Sequence, residues 1–274
     1  MNVPGTRQRF LVIAAASRGA RFFIKKSLQQ GHSVTALCRA VDDHAAQERI
    51  AVLLGNTTLT EGGIPAVDVP GTLRAKKQNI LDSETYRSLL NEDPSINRVC
   101  CFVGATGFRQ MMSREDKLYT QTIRALVEGM KMSRWVEFYY HGSSGIEGAP
   151  GQGKPNLPDN FRPRWLLSLG LKIPAAKDCF DSETLLAQAA TSGLKFVVFR
   201  PAWLTNEPAK RTYGYCFDTT GLDNEILPLR DAKTTISRED VAEEILRVAT
   251  LPKEKRSSWF GHGVYLVDMK RRSA

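Results

Sequence analysis

What most limits the folds open to this chain is an alternation: short apolar runs separated by segments of helical period, repeated along most of its length. Residues 10–14, 33–37, 78–81, 98–103 and 135–140 read as strands. Residues 20–30, 83–90 and 119–132 carry apolar side chains at the spacing of one helix face, and 175–191 adds another helix before a sixth strand in "GLKFVVFRPAWLTN". Parallel neighbours in a sheet need a crossover, usually a helix, so such a sheet is covered on both faces and its strands are apolar throughout. The expected fold class is α/β, a doubly wound, mostly parallel sheet with helices on both faces.

With 274 residues, 42% of them hydrophobic, the chain can bury a sizeable core without disulfides or metals, and one domain is expected. The net charge of +9 asks for an anionic partner, yet the basic residues are scattered and no aromatic-interleaved stripe occurs, so nucleic acid is not expected. Five cysteines, with no CxxC spacing, suit a reduced, cytoplasmic protein. No apolar segment reaches the ~20 residues of a membrane span, so no membrane association is expected. The four histidines have no metal-ligand spacing, and no metal is expected. Residues 41–54 offer a helix pattern in an otherwise long link, 145–163 are rich in glycine and proline, and Ser237 with Asp240 starts a late helix as cap and partner.

The first strand, turn, helix and second strand, "FLVIAAASRGARFFIKKSLQQGHSVTALCR", have the layout of a dinucleotide-binding unit, but its turn is short of glycine. In such a turn one glycine allows the bend, a second lets the backbone approach a pyrophosphate, and a third lets helix pack on strand. The helix start still offers backbone amides to an anion. Arg39, ending the second strand, suits a ribose 2′-phosphate where an acidic residue would read the hydroxyl.

The run "GHSVTALCR" at 31–39 resembles the NmrA-like group of atypical short-chain dehydrogenases/reductases, which carries G-A-T-G-x-x-G about a dozen residues earlier. Counted back from Gly31, the three glycine positions fall on Ala14, Ser17 and Ala20. The resemblance extends through "QNILDSETYRSLL", "SRWVEFYYHGSSGI", "PAAKDCFDSETLLAQAATSGLKFVVFRPAWLTN" and "ISREDVAEEI". It implies a Rossmann-like core of residues 1–150 and 175–205, with 151–174 and 206–274 forming a substrate lobe and late helix. It also implies an NADP cofactor held by Ala14, Ser17, Arg18, Gly19 and Arg39, with Asn79 and Ile80 near the adenine and Gly104 near the nicotinamide.

Reductases of this group use a serine after the fifth strand and a Tyr-x-x-x-Lys on the next helix, the lysine acidifying the proton donor. Lys177 stands at the lysine position, but Ile173 replaces the tyrosine. Spacing from Trp135 puts Tyr139 or Tyr140 at the serine position, whereas the glycine-serine turn gives Ser143 or Ser144. The expected catalytic set is Lys177, Tyr140 and Ser143, with Tyr140 taking over proton donation. His141 is a further acid/base candidate beside its reading as an ordinary loop histidine, and Asp178, Asp181 and Glu183 read as helix-start carboxylates. The resemblance implies an NADP(H)-linked reductase tailoring a small hydrophobic metabolite in secondary metabolism; the lost glycines and tyrosine leave open a cyclase, isomerase or dehydratase, or a nucleotide sensor. A homodimer is an expected assembly.

Overall fold

The computed structural model describes residues 7–55, 64–65, 71–104, 111–113, 115, 117–143, 173–217 and 235–269. In chain order the elements are β1 (Arg9–Ile13), α1 (Arg18–Gln29), β2 (Ser33–Cys38), α2 (Asp43–Leu54), β3 (Ile64–Pro65), β4 (Thr72–Lys77), α3 (Ser83–Glu92) and β5 (Arg98–Cys101). There follow α4 (Leu118–Lys131), β6 (Glu137–His141), α5 (Pro174–Ala190), β7 (Phe196–Pro201), β8 (Trp203–Thr205), β9 (Tyr213–Phe217), β10 (Thr235–Ser237), α6 (Arg238–Thr250), α7 (Lys253–Ser257) and β11 (His262–Asp268).

Among the described residues the main sheet has the order β3-β4-β2-β1-β5-β6-β7-β11-β9, parallel except where β3 and β9 close its edges antiparallel. Strand β1 lies inside it, in register with β2 from Arg9 opposite Ser33 and with β5 from Phe10 opposite Arg98. Side chains alternate between two cores. Phe10, Val12, Cys100, Tyr139 and Phe199 face α1, α2 and α6, while Leu11, Ile13, Cys101, Tyr140 and Val198 face α3, α4 and α5. Each such residue, removed wholly from water, contributes about 1.5–3 kcal/mol, which is why the sheet is apolar on both faces.

One sequence expectation needs correction. The third core strand is Thr72–Lys77 and not 78–81, because its exposed positions are Thr72, Arg74 and Lys77 and its apolar signal is confined to Leu73 and Ala75. Of residues 206–274, expected to form a substrate lobe and late helix, 206–217 and 235–269 are described. Tyr213–Phe217 and His262–Asp268 hydrogen-bond into the main sheet, and α6 packs beside α1. The proposed lobe segment 151–174 lies outside the described residues except for Ile173 and Pro174.

One buried ion pair fastens α5 to the sheet. Arg200, fully buried on β7, donates from Nη2 at 2.5 Å and Nε at 3.1 Å to Glu183, and its guanidinium lies over the ring of Tyr265. Gly263 makes room for it, since a Cβ there would stand 2.3 Å from Arg200 Cζ. Glu183 is therefore a structural partner within the helix and not a helix-start carboxylate.

Candidate nucleotide-binding site

In an open parallel sheet the crevice beyond the carboxyl ends of the strands receives the ligand, next to the strand where the winding reverses. Here that strand is β1, and the residues following it have an unusual backbone. Ala14 has φ of 57°, in the left-handed region that an alanine seldom enters, so the bend expected of the first glycine is kept without a glycine. The amide of Ala15 is taken by Leu37 O at 3.0 Å and that of Ser17 by Ala14 O at 2.9 Å. Ser17 caps α1, its hydroxyl accepting from the Ala20 amide at 3.3 Å. The amides of Arg18 and Gly19 have no partner among the described residues, and they open the helix at its positive end.

Gly19 cannot carry a side chain without pressing on Phe102, whose ring carbon would be 3.3 Å from a Cβ there. Ala20, at the third glycine position, is fully buried against the sheet, where a methyl fits. Of the three replaced glycine positions, Ala14 thus takes a left-handed bend, Ala20 packs on the sheet and Ser17 occupies one amide.

Cations collect around this turn. The packing of α6 against α1 brings Arg238, first residue of α6, near Arg18, first residue of α1; burial and then the charge of Arg18 lower the pKa of Arg238. Arg238 donates to Asn206 Oδ1 at 2.7 Å and Leu204 O at 3.3 Å. Neither arginine has a carboxylate partner among the described residues, whereas Lys26, further along α1, takes both Glu239 and Glu243. Arg39 is exposed just past β2, and its carbonyl holds the guanidinium of Arg49 at 2.8 Å. Sequence reasoning missed Arg238. Its only signal was its place beside the Ser237 cap, and its nearness to Arg18 depends on helix packing.

Asn79 and Ile80 form the turn at the carboxyl end of β4: Asn79 Oδ1 accepts from the Leu81 amide at 3.1 Å, and Ile80 O accepts from Tyr86 Oη at 2.8 Å. Gly104 follows β5, where a Cβ would be 3.7 Å from Tyr119 Oη. His141 ends β6 with its ring 5.8 Å from that of Phe102, and burial, with a smaller effect from Arg238, lowers its pKa to about 4. It is a neutral imidazole at neutral pH.

The expected catalytic residues do not converge. Tyr140 is fully buried between β6 and α5, its hydroxyl 3.1 Å from Ser182 Oγ and 3.8 Å from Cys179 Sγ, and burial pushes its pKa well up. Strand alternation turns it into the helix-covered face, away from Lys177 and Ser143, which are exposed. Lys177 points to solvent with its ammonium 2.8 Å and 2.9 Å from the carboxylate oxygens of Asp181, which makes an (i, i+4) surface pair of the two. Ser143 is exposed two residues beyond β6, and Ser144 lies outside the described residues. Asp178 caps a different helix from its own, accepting from the Tyr119 and Thr120 amides at 2.8 Å and 3.0 Å at the start of α4.

Among the described residues no helix is long and apolar enough to cross a membrane, and no group of three or more potential metal ligands occurs. No curated protein is significantly similar to the chain in sequence. Solved structures with the same fold include ChuY, an anaerobilin reductase from Escherichia coli O157:H7, with 15% identity and a TM-score of 0.61 over 97% of this chain and 100% of that one. A short-chain dehydrogenase/reductase from Veillonella parvula gives 14% identity and a TM-score of 0.63 over 96% and 95%. An oxidoreductase from Lactococcus lactis gives 12% and 0.60 over 96% and 92%. The family model described as NAD(P)H-binding matches residues 70–252, beginning after the glycine-poor turn. That span is well over half of the sequence, and with the Rossmann-like sheet and its resemblance to NmrA-like dehydrogenases it settles the assignment: the chain belongs to the NAD(P)H-binding family.

Proposed function

We propose that the protein binds NADP(H) across the carboxyl edge of β1, β2 and β5 and acts as a reductase of a small hydrophobic metabolite, a tailoring step of secondary metabolism. The observation that carries this reading is the left-handed Ala14, which keeps the phosphate turn's path, together with two unpartnered amides and the Arg18–Arg238 cation pair at its mouth. A bound nicotinamide supplies the hydride. The chain's own part is to hold the pyrophosphate charge with Arg18, Arg238 and the start of α1, and the 2′-phosphate with Arg39.

Val41, Leu81 and Trp203 are exposed, Trp203 by 72%, and each follows the carboxyl end of a sheet strand in the sequence, which supports a hydrophobic substrate at that edge.

A second reading, a non-redox cyclase, isomerase or dehydratase or a nucleotide sensor, is favoured by one observation: Tyr140 and Lys177 form no donor pair. Fluorescence titration tests the cofactor. Arg39→Glu should weaken NADPH by about 10-fold or more while leaving NADH little changed, since a charge-assisted contact becomes repulsive. Equal losses would refute the 2′-phosphate assignment. NADPH oxidation coupled to product formation separates reductase from the second reading; turnover in nucleotide-stripped protein would overturn the first.

A further inference from the structure

At the opposite edge of the sheet, where β5, β6 and β7 begin, a cavity of about 350 Å³ is lined by Asn97, Arg134, Trp135, Glu137 and Lys195, among others. Its charge is unbalanced. Glu137, the one carboxylate in that lining, is already shared by Arg98 Nε at 3.2 Å, Arg256 Nη2 at 2.9 Å and the Tyr139 hydroxyl at 3.0 Å. Both guanidinium side chains are more than nine-tenths buried, and Arg98 Nη1 has no hydrogen-bond partner.

Two buried arginines against one carboxylate leave a positive charge behind the lining residue Glu137, and a buried donor without an acceptor is costly. Lys195 adds an exposed ammonium with no ion-pair partner among the described residues. Arg134 adds a guanidinium whose Nη2 is given to the carbonyls of Pro94 at 2.9 Å, Asp93 at 3.4 Å and Ile96. The Trp135 ring packs beside Gly193, whose φ of 108° turns the chain into β7, and gives the cavity a flat wall.

We propose that this amino-edge cavity is a second anion site, binding the phosphate group of a small molecule between Lys195 and Arg134 in front of the Arg98–Glu137–Arg256 cluster. It is separate from the nucleotide edge, because the sheet strands run their full length between the two. A divalent oxyanion matches the excess of cations better than a monovalent one, and the tetrahedral oxygens suit several donors at once.

The test is calorimetric titration of the full chain with inorganic phosphate at constant ionic strength, with thermal melts alongside. Wild type and Arg18→Glu should bind phosphate saturably and melt at higher temperature with it, while Lys195→Glu binds about 10-fold or more weakly. Lys195 is exposed, so this variant should fold as wild type does, and its melting temperature without phosphate checks that. Absence of saturable binding, or loss in Arg18→Glu with retention in Lys195→Glu, would overturn the proposal, the latter placing phosphate at the nucleotide edge. Equal weakening by both variants would also overturn it, as general charge screening. NADPH affinity unchanged in Lys195→Glu keeps the outcome independent of the cofactor reading.

Discussion

Replacing Ala14 by glycine should stabilise the protein, whereas the same replacement one residue later should destabilise it. At φ of 57° an L-residue carries about 1–2 kcal/mol of steric cost that glycine lacks. Glycine brings back about 0.5–1 kcal/mol of extra unfolded-state entropy. The difference leaves Ala14→Gly about 0.5–1 kcal/mol more stable. Ala15 is fully buried and has no positive φ. There the entropy cost adds to a lost buried methyl worth about 0.8 kcal/mol, for a total loss of about 1.5 kcal/mol. Urea unfolding with an unchanged slope reads both, and Ala14→Gly should raise the melting temperature by about 1–4 °C. The bend already exists, so NADPH affinity should change little. If Ala14→Gly were destabilised as Ala15→Gly is, the left-handed turn and the account of a retained phosphate site would both fall.

Tyr140→Phe should leave turnover intact and cost about 1 kcal/mol through its lost bond to Ser182; a 10²-fold fall in rate would restore Tyr140 as a proton donor. Lys177→Met should change stability by no more than about 0.5 kcal/mol in urea, the scale of an exposed (i, i+4) pair, and rate little. Glu183→Ala should cost about 3–5 kcal/mol by stranding the buried Arg200, and a loss under 1 kcal/mol would contradict the pair as drawn. His141 is depressed in the folded state to about 4, so the unfolded chain takes up its proton first. Stability should therefore fall as pH drops from about 6.5 to 4, and His141→Phe should flatten that slope; an unchanged slope would show that His141 titrates normally.

The sheet was legible because its signal is local. Residues 10–14, 33–37, 98–103 and 135–140 are apolar on both faces, as a strand between two helix layers must be, and all of them meet strands of the main sheet. Thr72–Lys77 escaped because three of its six side chains are polar and exposed. The turn's path was legible only as a pattern of missing glycines, since nothing in the letters says that Ala14 adopts a left-handed backbone. Tyr140 and His141 show the limit of alternation. Period 2 separates their faces, but how far α5 covers the strand end decides which face reaches the crevice, and that is tertiary. Arg238 and Arg18 lie at the starts of two helices far apart in sequence, and only the packing of α6 on α1 makes them neighbours.

The replaced glycines and the gathered arginines bear on the same physical problem. A glycine turn binds a pyrophosphate by bringing uncharged amides close to it, an interaction of short range that salt disturbs little. Here Ser17 takes one amide for its own cap. On the function proposed above, Arg18 and Arg238 would replace proximity with charge, which acts over longer distances and is screened over about 8 Å at physiological salt. It follows that nucleotide affinity in this protein should decline more steeply with salt than in a relative with all three glycines. The decline should be shallower in Arg238→Gln, which removes a charge while leaving the amides of Arg18 and Gly19 in place. Titrations of NADPH between 50 and 500 mM salt, on the order of the range over which screening changes most, give the slope for both proteins. A slope unaffected by Arg238→Gln would assign the binding to the amides alone and Arg238 to anchoring Asn206 and Leu204.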